Sequence, residues 1–243
     1  MPNGSSRSVE PSWSGSTLLE LPPGTDLKSI KKIDASNYGA LKAMAERAAE
    51  ETMPGRATAV RSGVIAGPGD PTDRVAYWPI RLADGGEMIA PGAPTEERMQ
   101  YIDVRDLGAF IVRTMEDKTF GTFNAVGPDD PSLGAVLGDM QRGLGSKTTL
   151  TWVARDWLEA HGAKGWEAFP VVVSPTSDES GFAHVDASRA IAKGLRFRPP
   201  GDTAKDALAW YRAQPEDRRA HERPGLSRER ESELLREWHA RSR

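Results

Sequence analysis

Short runs rich in β-branched residues alternate along this chain with segments of helical period, and that alternation narrows the fold more than any other feature. Ala35–Thr52 (ASNYGALKAMAERAAEET) is rich in Ala, Leu, Met and Glu, has Ser36 or Asn37 as a cap and ends at Pro54-Gly55, so it predicts a helix. Ala57–Ile65 carries β-branched residues up to Gly67-Pro68-Gly69 and predicts a buried strand entering a loop. Further strands are expected at Glu87–Gly92, Met99–Asp103, Gly121–Val126 and Thr149–Val153. Asp103 is placed to cap a helix running to about Glu116, with Val104, Leu107, Ile111 and Met115 as its apolar face. Helices follow at Ser132–Gly143, Arg155–His161, Ser188–Lys193 and Thr203–Arg212. A charged terminal helix lies within Leu226–Arg243, its small apolar face made by Leu234, Leu235 and Trp238. Tyr77-Trp78-Pro79 reads as an aromatic loop, and the first 36 residues as irregular. Strands alternating with helices imply α/β with a mostly parallel sheet.

Composition removes several classes of function. The 243 residues hold 32 Lys+Arg against 35 Asp+Glu, a formal net charge of -3, which offers no basic footprint for nucleic acid or an anionic membrane. No apolar run reaches the roughly 20 residues of a membrane span and no signal peptide opens the sequence, so a cytoplasmic location is expected. Cysteine is absent, which excludes disulfides, thiolate metal sites and a cysteine nucleophile. The four histidines lack metal-ligand spacing, so no metal is expected.

Tyr38 and Lys42 carry the clearest chemistry. Four residues apart on a helix, they share one face. A phenol with an ordinary pKa near 10 is a poor base at neutral pH, but an adjacent ammonium favours its ionised form. Such a pair can pass a proton to and from a substrate hydroxyl. The same spacing also suits an ordinary amphipathic helix. Gly143–Thr149 (GLGSKTT) has Ser146 where a phosphate loop needs Gly, and is expected to be a helix end and turn. Asp103 and Asp106 are expected to cap their helix first, since a carboxylate in the first turn favours the helix dipole.

In order, YGALK, AVRSGVIAGPGD, the YWP segment, MQYIDVRDLGAF and FNAVGP resemble the second half of the extended short-chain dehydrogenases, the NAD-dependent epimerase/dehydratase family. The resemblance spans about Ser5 to Tyr211. It implies a partial doubly wound, Rossmann-like parallel sheet with a smaller α+β substrate-binding lobe. By the same resemblance Tyr38 is the catalytic acid/base, Lys42 holds the nicotinamide ribose, and Ser6, in SSRSVE, orients the substrate carbonyl. Gly63 and Val64 would lie against the nicotinamide, although Ser62 stands where the family usually has Pro. Tyr77 and Trp78 would line the substrate pocket, with a hydrophobic cluster as the competing reading. Arg98, one position from the family's phosphate-binding Arg, is a candidate for a substrate phosphate or carboxylate.

One part of that pattern is missing. A dinucleotide site needs a glycine-rich turn between a strand and a helix to receive the pyrophosphate, and neither G-x-G-x-x-G nor G-x-x-G-x-x-G follows a strand here. The expected division is therefore residues 1–76, a remnant of the dinucleotide-binding domain with the Tyr-x-x-x-Lys helix; 77–213, a substrate lobe with the last Rossmann elements; and 214–243, a charged helical tail. Three readings stay open at this point: a truncated NAD(P)-dependent oxidoreductase or epimerase/dehydratase, a cofactor-independent protein that binds a small ligand or partner, and an inactive remnant. The first, with NAD or NADP as its cofactor, is preferred. A small-molecule substrate is the expected partner, and a homodimer is left open.

Overall fold

The computed structural model describes residues 21, 22, 24–34, 36–177, 180–221 and 223–241. In chain order its elements are α1 (Tyr38–Thr52), β1 (Thr58–Ser62), β2 (Ile65–Ala66), α2 (Tyr77–Ala83), β3 (Glu87–Pro91), β4 (Ile102–Asp103), α3 (Val104–Glu116), β5 (Gly121–Ala125), α4 (Leu133–Leu144), β6 (Thr149–Val153), α5 (Arg155–Ala160), α6 (Gly165–Ala168), α7 (Ser188–Ala192), α8 (Pro200–Arg212), α9 (Glu216–Arg219) and α10 (Arg228–Ala240). The chain is α/β: β2 runs parallel to β4, β3 runs parallel to β6, and β1 pairs with β5. The β3/β6 register sets Glu87 against Thr149 and Pro91 against Val153.

The chain divides into two compact units. The first, 1–59 with 120–122, holds α1 and a 3-10 turn at Leu27–Ser29. Gly121 N–H donates to the Ala57 carbonyl within it, at 2.9 Å.

The second unit, 60–119 with 123–243, contains two hydrophobic cores. In the larger, Trp78, Met88, Ile89, Leu133, Leu137, Met140, Leu158 and Phe169 are almost completely shielded from solvent. Each such aliphatic side chain contributes about 1.5–3 kcal/mol by leaving water. Helices α4 and α8 pack closely because glycine meets glycine: a Cβ on Gly143 would lie 2.5 Å from the Gly201 Cα. In the smaller core, Phe110 of α3 meets Phe123 of β5 edge to face at 6.0 Å, beside Ile102, Leu107, Val126 and Leu195.

Two expectations are corrected. Tyr77-Trp78-Pro79 opens α2 instead of forming a loop; Pro79 sits in the first turn, where a helix has no use for its missing N–H. The buried stripe of α3 is Leu107, Phe110 and Thr114, while Val104, Ile111 and Met115 are exposed. Leu107 belongs to both apolar arcs, and packing against Phe123 selects the arc containing Phe110.

The terminal helix is held by a charge as well as by Leu234 and Leu235. Glu231 is buried and accepts from Arg81 Nε at 2.6 Å, from the Ile89 N–H at 3.0 Å and from Arg228 Nη1 at 2.9 Å. Arg81 also donates to the carbonyls of Gly85 and Glu87, so α2, β3 and α10 share one buried ion pair.

Candidate functional site

The start of α1 is built by a polar turn. Ser36 donates to Asp34 Oδ1 through both its N–H (3.0 Å) and its hydroxyl (2.6 Å), and these bonds hold the Asp34 carboxyl below its ordinary pKa. Asn37 is occupied in the same turn: its Oδ1 accepts from Asp34 N–H and its Nδ2 donates to the Lys32 carbonyl. Tyr38 N–H then donates to the Asp34 carbonyl, making Tyr38 the first helical residue. One turn later Lys42 places its Nζ 5.5 Å from the centre of the Tyr38 ring, a cation–π contact. Tyr38 is 55% exposed and Lys42 is also exposed, so both the ring and the ammonium lying over it are open to a ligand. Ser6 lies outside the described residues.

The remaining candidates belong to the second unit. Gly63 backs onto Val126, where an added Cβ would come within 3.0 Å of Val126 Cγ1. The neighbouring Val64 carbonyl accepts from Ile102 N–H at 2.9 Å, and its side chain packs on the larger core. These contacts fix the loop between β1 and β2.

Parallel sheets bind ligands at the carboxyl ends of their strands, and here β4 ends on Asp103. This residue caps α3 by accepting from Arg105 N–H at 2.9 Å, and it also accepts from Arg105 Nε and Nη2 and from the Thr203 hydroxyl at 2.8 Å. Burial alone would raise its pKa; the bonds from Arg105 and Thr203 outweigh that and hold it low. Asp106 is bound by the backbone N–H, Nε and Nη2 of Arg198. Both carboxylates are committed to structural partners and neither is free to act as a base. Beside them, Tyr101, Arg198, Phe197, Pro200 and Thr203 line a cavity of about 40 Å³, room for about two or three waters. Among the described residues the buried Tyr101 hydroxyl has no hydrogen bond of standard geometry, although Thr203 lies near enough to lower its pKa slightly. Burial, then the charges of Asp103 and Asp139, raise its pKa, so it remains a neutral donor.

Arg98 is engaged by its own loop and by a carboxylate from a distant one. It pairs with Asp130 and donates through Nη1 to the carbonyls of Thr95 and Glu96, each at 2.7 Å. A substrate anion there would compete with Asp130. Tyr77 and Trp78 belong to the larger core: Trp78 is fully buried, with its Nε1 donating to the Pro170 carbonyl at 2.9 Å, and Tyr77 meets it edge to face at 5.1 Å. Gly145 closes α4 in the left-handed conformation, so GLGSKTT is a helix end. Among the described residues no group of three or more potential ligands could hold a metal ion.

Sequence reasoning did not find Arg198, Thr203 or Arg105 as the partners of Asp103 and Asp106, nor the Arg81–Glu231 pair. Apart from the one between Asp103 and Arg105, these contacts join residues 92 to 150 positions apart, and no local motif marks them.

No family model and no curated protein matches the sequence. Solved structures do. The chain is similar to several epimerases and to other proteins solved with NAD or NADPH. They include UDP-N-acetylglucosamine 4-epimerase from Methanobrevibacter ruminantium in complex with UDP-N-acetylmuramic acid, at 15% identity over 82% of this chain and 61% of that one, TM-score 0.49. UDP-glucose 4-epimerase from Thermus thermophilus, complexed with NAD, is also 15% identical over 82% of this chain and 61% of its own, TM-score 0.46. RMD from Pseudomonas aeruginosa, complexed with NADPH, is 10% identical over 70% and 52%, TM-score 0.46. The chain thus spans about half to three-fifths of the length of these structures.

Proposed function

We propose that this chain carries the acid/base helix of an NAD(P)-dependent oxidoreductase or epimerase/dehydratase acting on a carbinol or ketone, with a sugar nucleotide or another small metabolite as substrate. The observation that carries the reading is the exposed Tyr38–Lys42 pair at the start of α1, with the ammonium 5.5 Å from the ring centre. A phenol with an ammonium over its ring fits the ribose and substrate end of a nicotinamide cofactor; the pyrophosphate end needs a glycine-rich strand-to-helix turn, which these 243 residues do not include. The reaction is therefore assigned to the chain acting together with a dinucleotide-binding half.

When bound, the nicotinamide supplies or accepts a hydride at C4. Tyr38 Oη takes the hydroxyl proton as a carbinol is oxidised and returns it as a ketone is reduced. Lys42 would hold the ribose and keep a positive charge over the phenol ring. Ser6 would donate to the substrate oxygen. Oxidation alone, or oxidation followed by return of the hydride to the opposite face, both use this machinery.

The reading is tested by following nicotinamide absorbance while the enzyme, with its dinucleotide-binding half present, is offered carbinols, ketones and nucleotide sugars. Turnover dependent on NAD or NADP is expected with at least one of these classes. Calorimetry on the 243 residues alone should show little affinity for either dinucleotide; a micromolar dissociation constant would contradict the assignment of the pyrophosphate site to another segment.

A further inference from the structure

An open groove of about 460 Å³ lies in the second unit where α3 and α7 end. Arg113, Asp117, Thr119, Lys193, Gly194 and Arg196 line it. Three cations face one carboxylate there, in a chain whose net charge is -3. We infer that this groove binds a small phosphate-bearing anion, the guanidinium and ammonium groups meeting the phosphate oxygens.

Cations often gather at helix C-termini merely to offset the dipole, and that accounts for part of the cluster. Arg196 does so, donating through Nη1 to the carbonyls of Ile191 (3.2 Å) and Leu195 (2.8 Å). Most of the other last-turn carbonyls are already capped by the backbone, those of Arg113, Thr114, Met115 and Ala190 among them. Thr119 N–H donates to Thr114 at 2.8 Å, Asp117 N–H to Arg113 at 2.9 Å, and Leu195 and Lys193 N–H to Ala190 at 2.9 and 3.0 Å. Capping therefore requires neither Arg113 nor Lys193. Arg113 reaches Asp117 only at 3.9 Å, and its side chain lies along Gly194, whose missing Cβ leaves the space: an added Cβ would stand 2.7 Å from Arg113 Cδ. Among the described residues the Lys193 ammonium makes no hydrogen bond or ion pair. The groove thus presents one weakly committed charge at the end of α3 and one wholly uncommitted charge just past α7, an arrangement that suits an anion bridging them. A single groove of this size on an acidic chain favours a small phosphorylated metabolite over a nucleic acid, which needs an extended basic track. Nothing in this inference depends on Tyr38 or Lys42.

Titration calorimetry of the full chain with inorganic pyrophosphate tests it. Binding is expected at low ionic strength and should weaken as salt is added. Lys193→Glu should weaken it about tenfold, and Asp117→Asn, which removes the opposing carboxylate, should strengthen it about threefold. Because misfolding cannot improve binding, the second variant guards against a trivial loss. Lys164→Glu, an exposed change outside the groove, should leave the affinity within about twofold. Absence of pyrophosphate binding, unchanged affinity in Lys193→Glu, or an equal loss in Lys164→Glu would each overturn the assignment.

Discussion

Replacing Glu231 by alanine should be among the most damaging single changes in the second unit. The Glu231 and Arg81 side chains are only 2% and 3% exposed, so the substitution strands a buried guanidinium and leaves the Ile89 N–H without its acceptor. Breaking a buried pair from one side costs about 3–5 kcal/mol. Arg81 keeps the carbonyls of Gly85 and Glu87, which places the cost near the lower figure, and the partly exposed Arg228 adds about 0–1 kcal/mol. A loss of about 3 kcal/mol, at a urea m-value of about 2–3 kcal/mol/M, lowers the unfolding midpoint by about 1 M. Replacing both partners, in Arg81→Met with Glu231→Met, removes the stranded charge together with its partner and should cost less than Glu231→Ala alone. Urea unfolding followed by tryptophan fluorescence measures all three proteins. A midpoint shift in Glu231→Ala below about 0.3 M, or a double variant less stable than Glu231→Ala, would refute the view that α10 is anchored by this pair.

Acid should weaken the fold. The carboxyls of Asp103, Asp130 and Glu87 are held below their ordinary values: Asp103 by bonds from Arg105 and Thr203 that overcome its burial, Asp130 by Arg98, and Glu87 by Thr151 and His239. A depressed folded pKa contributes stability that is present above the unfolded values, 3.8 for Asp and 4.5 for Glu, and is lost as pH falls through the folded ones. Thermal melts should be flat near neutrality and drop below about pH 4.5; a melting temperature unchanged down to pH 2 would contradict this. Alkali should weaken the fold as well, through Tyr77 and Tyr101: burial raises their pKa values, so their contribution is lost as pH climbs past the unfolded value of 10.0. Ultraviolet difference titration should show these two ionising only as the fold melts, and early ionisation of all four tyrosines would count against it. Gly143→Ala should force α4 away from α8 and destabilise by about 1–3 kcal/mol, seen as a lower melting temperature; no change would mean that the two helices tolerate a Cβ.

Where local signals act alone, the sequence announces the structure well. The strand at Thr149–Val153 matches the expected span residue for residue, Asp103 and Ser132 cap α3 and α4, and Gly145 ends α4 in the left-handed conformation that glycine adopts freely. Caps, turns and strand runs are decided within a few residues. The face of α3 is different. Its sequence offers two overlapping apolar arcs, and only the arrival of Phe123 from β5 chooses between them.

The site divides in the same way. The Tyr38–Lys42 pair is legible because helical spacing alone brings the two side chains together. The surroundings of Arg98 are not, because Asp130, which claims its guanidinium, lies thirty-two residues downstream. Trp78 could be read equally as pocket or core until Pro170 supplied a buried acceptor for its indole N–H. Glu231, in a stretch of mostly charged residues, gives no local sign of being the one that is buried.

The central claim is that Tyr38 moves the substrate proton. The most direct measurement is the turnover number of Tyr38→Phe in the enzyme with its dinucleotide-binding half present, at saturating substrate and cofactor. Removing one hydroxyl from an exposed position should leave folding and substrate affinity nearly unchanged while lowering turnover by about 100- to 10,000-fold. Turnover equal to that of the unaltered enzyme would remove Tyr38 from the chemistry and leave the pair as an ordinary feature of an amphipathic helix.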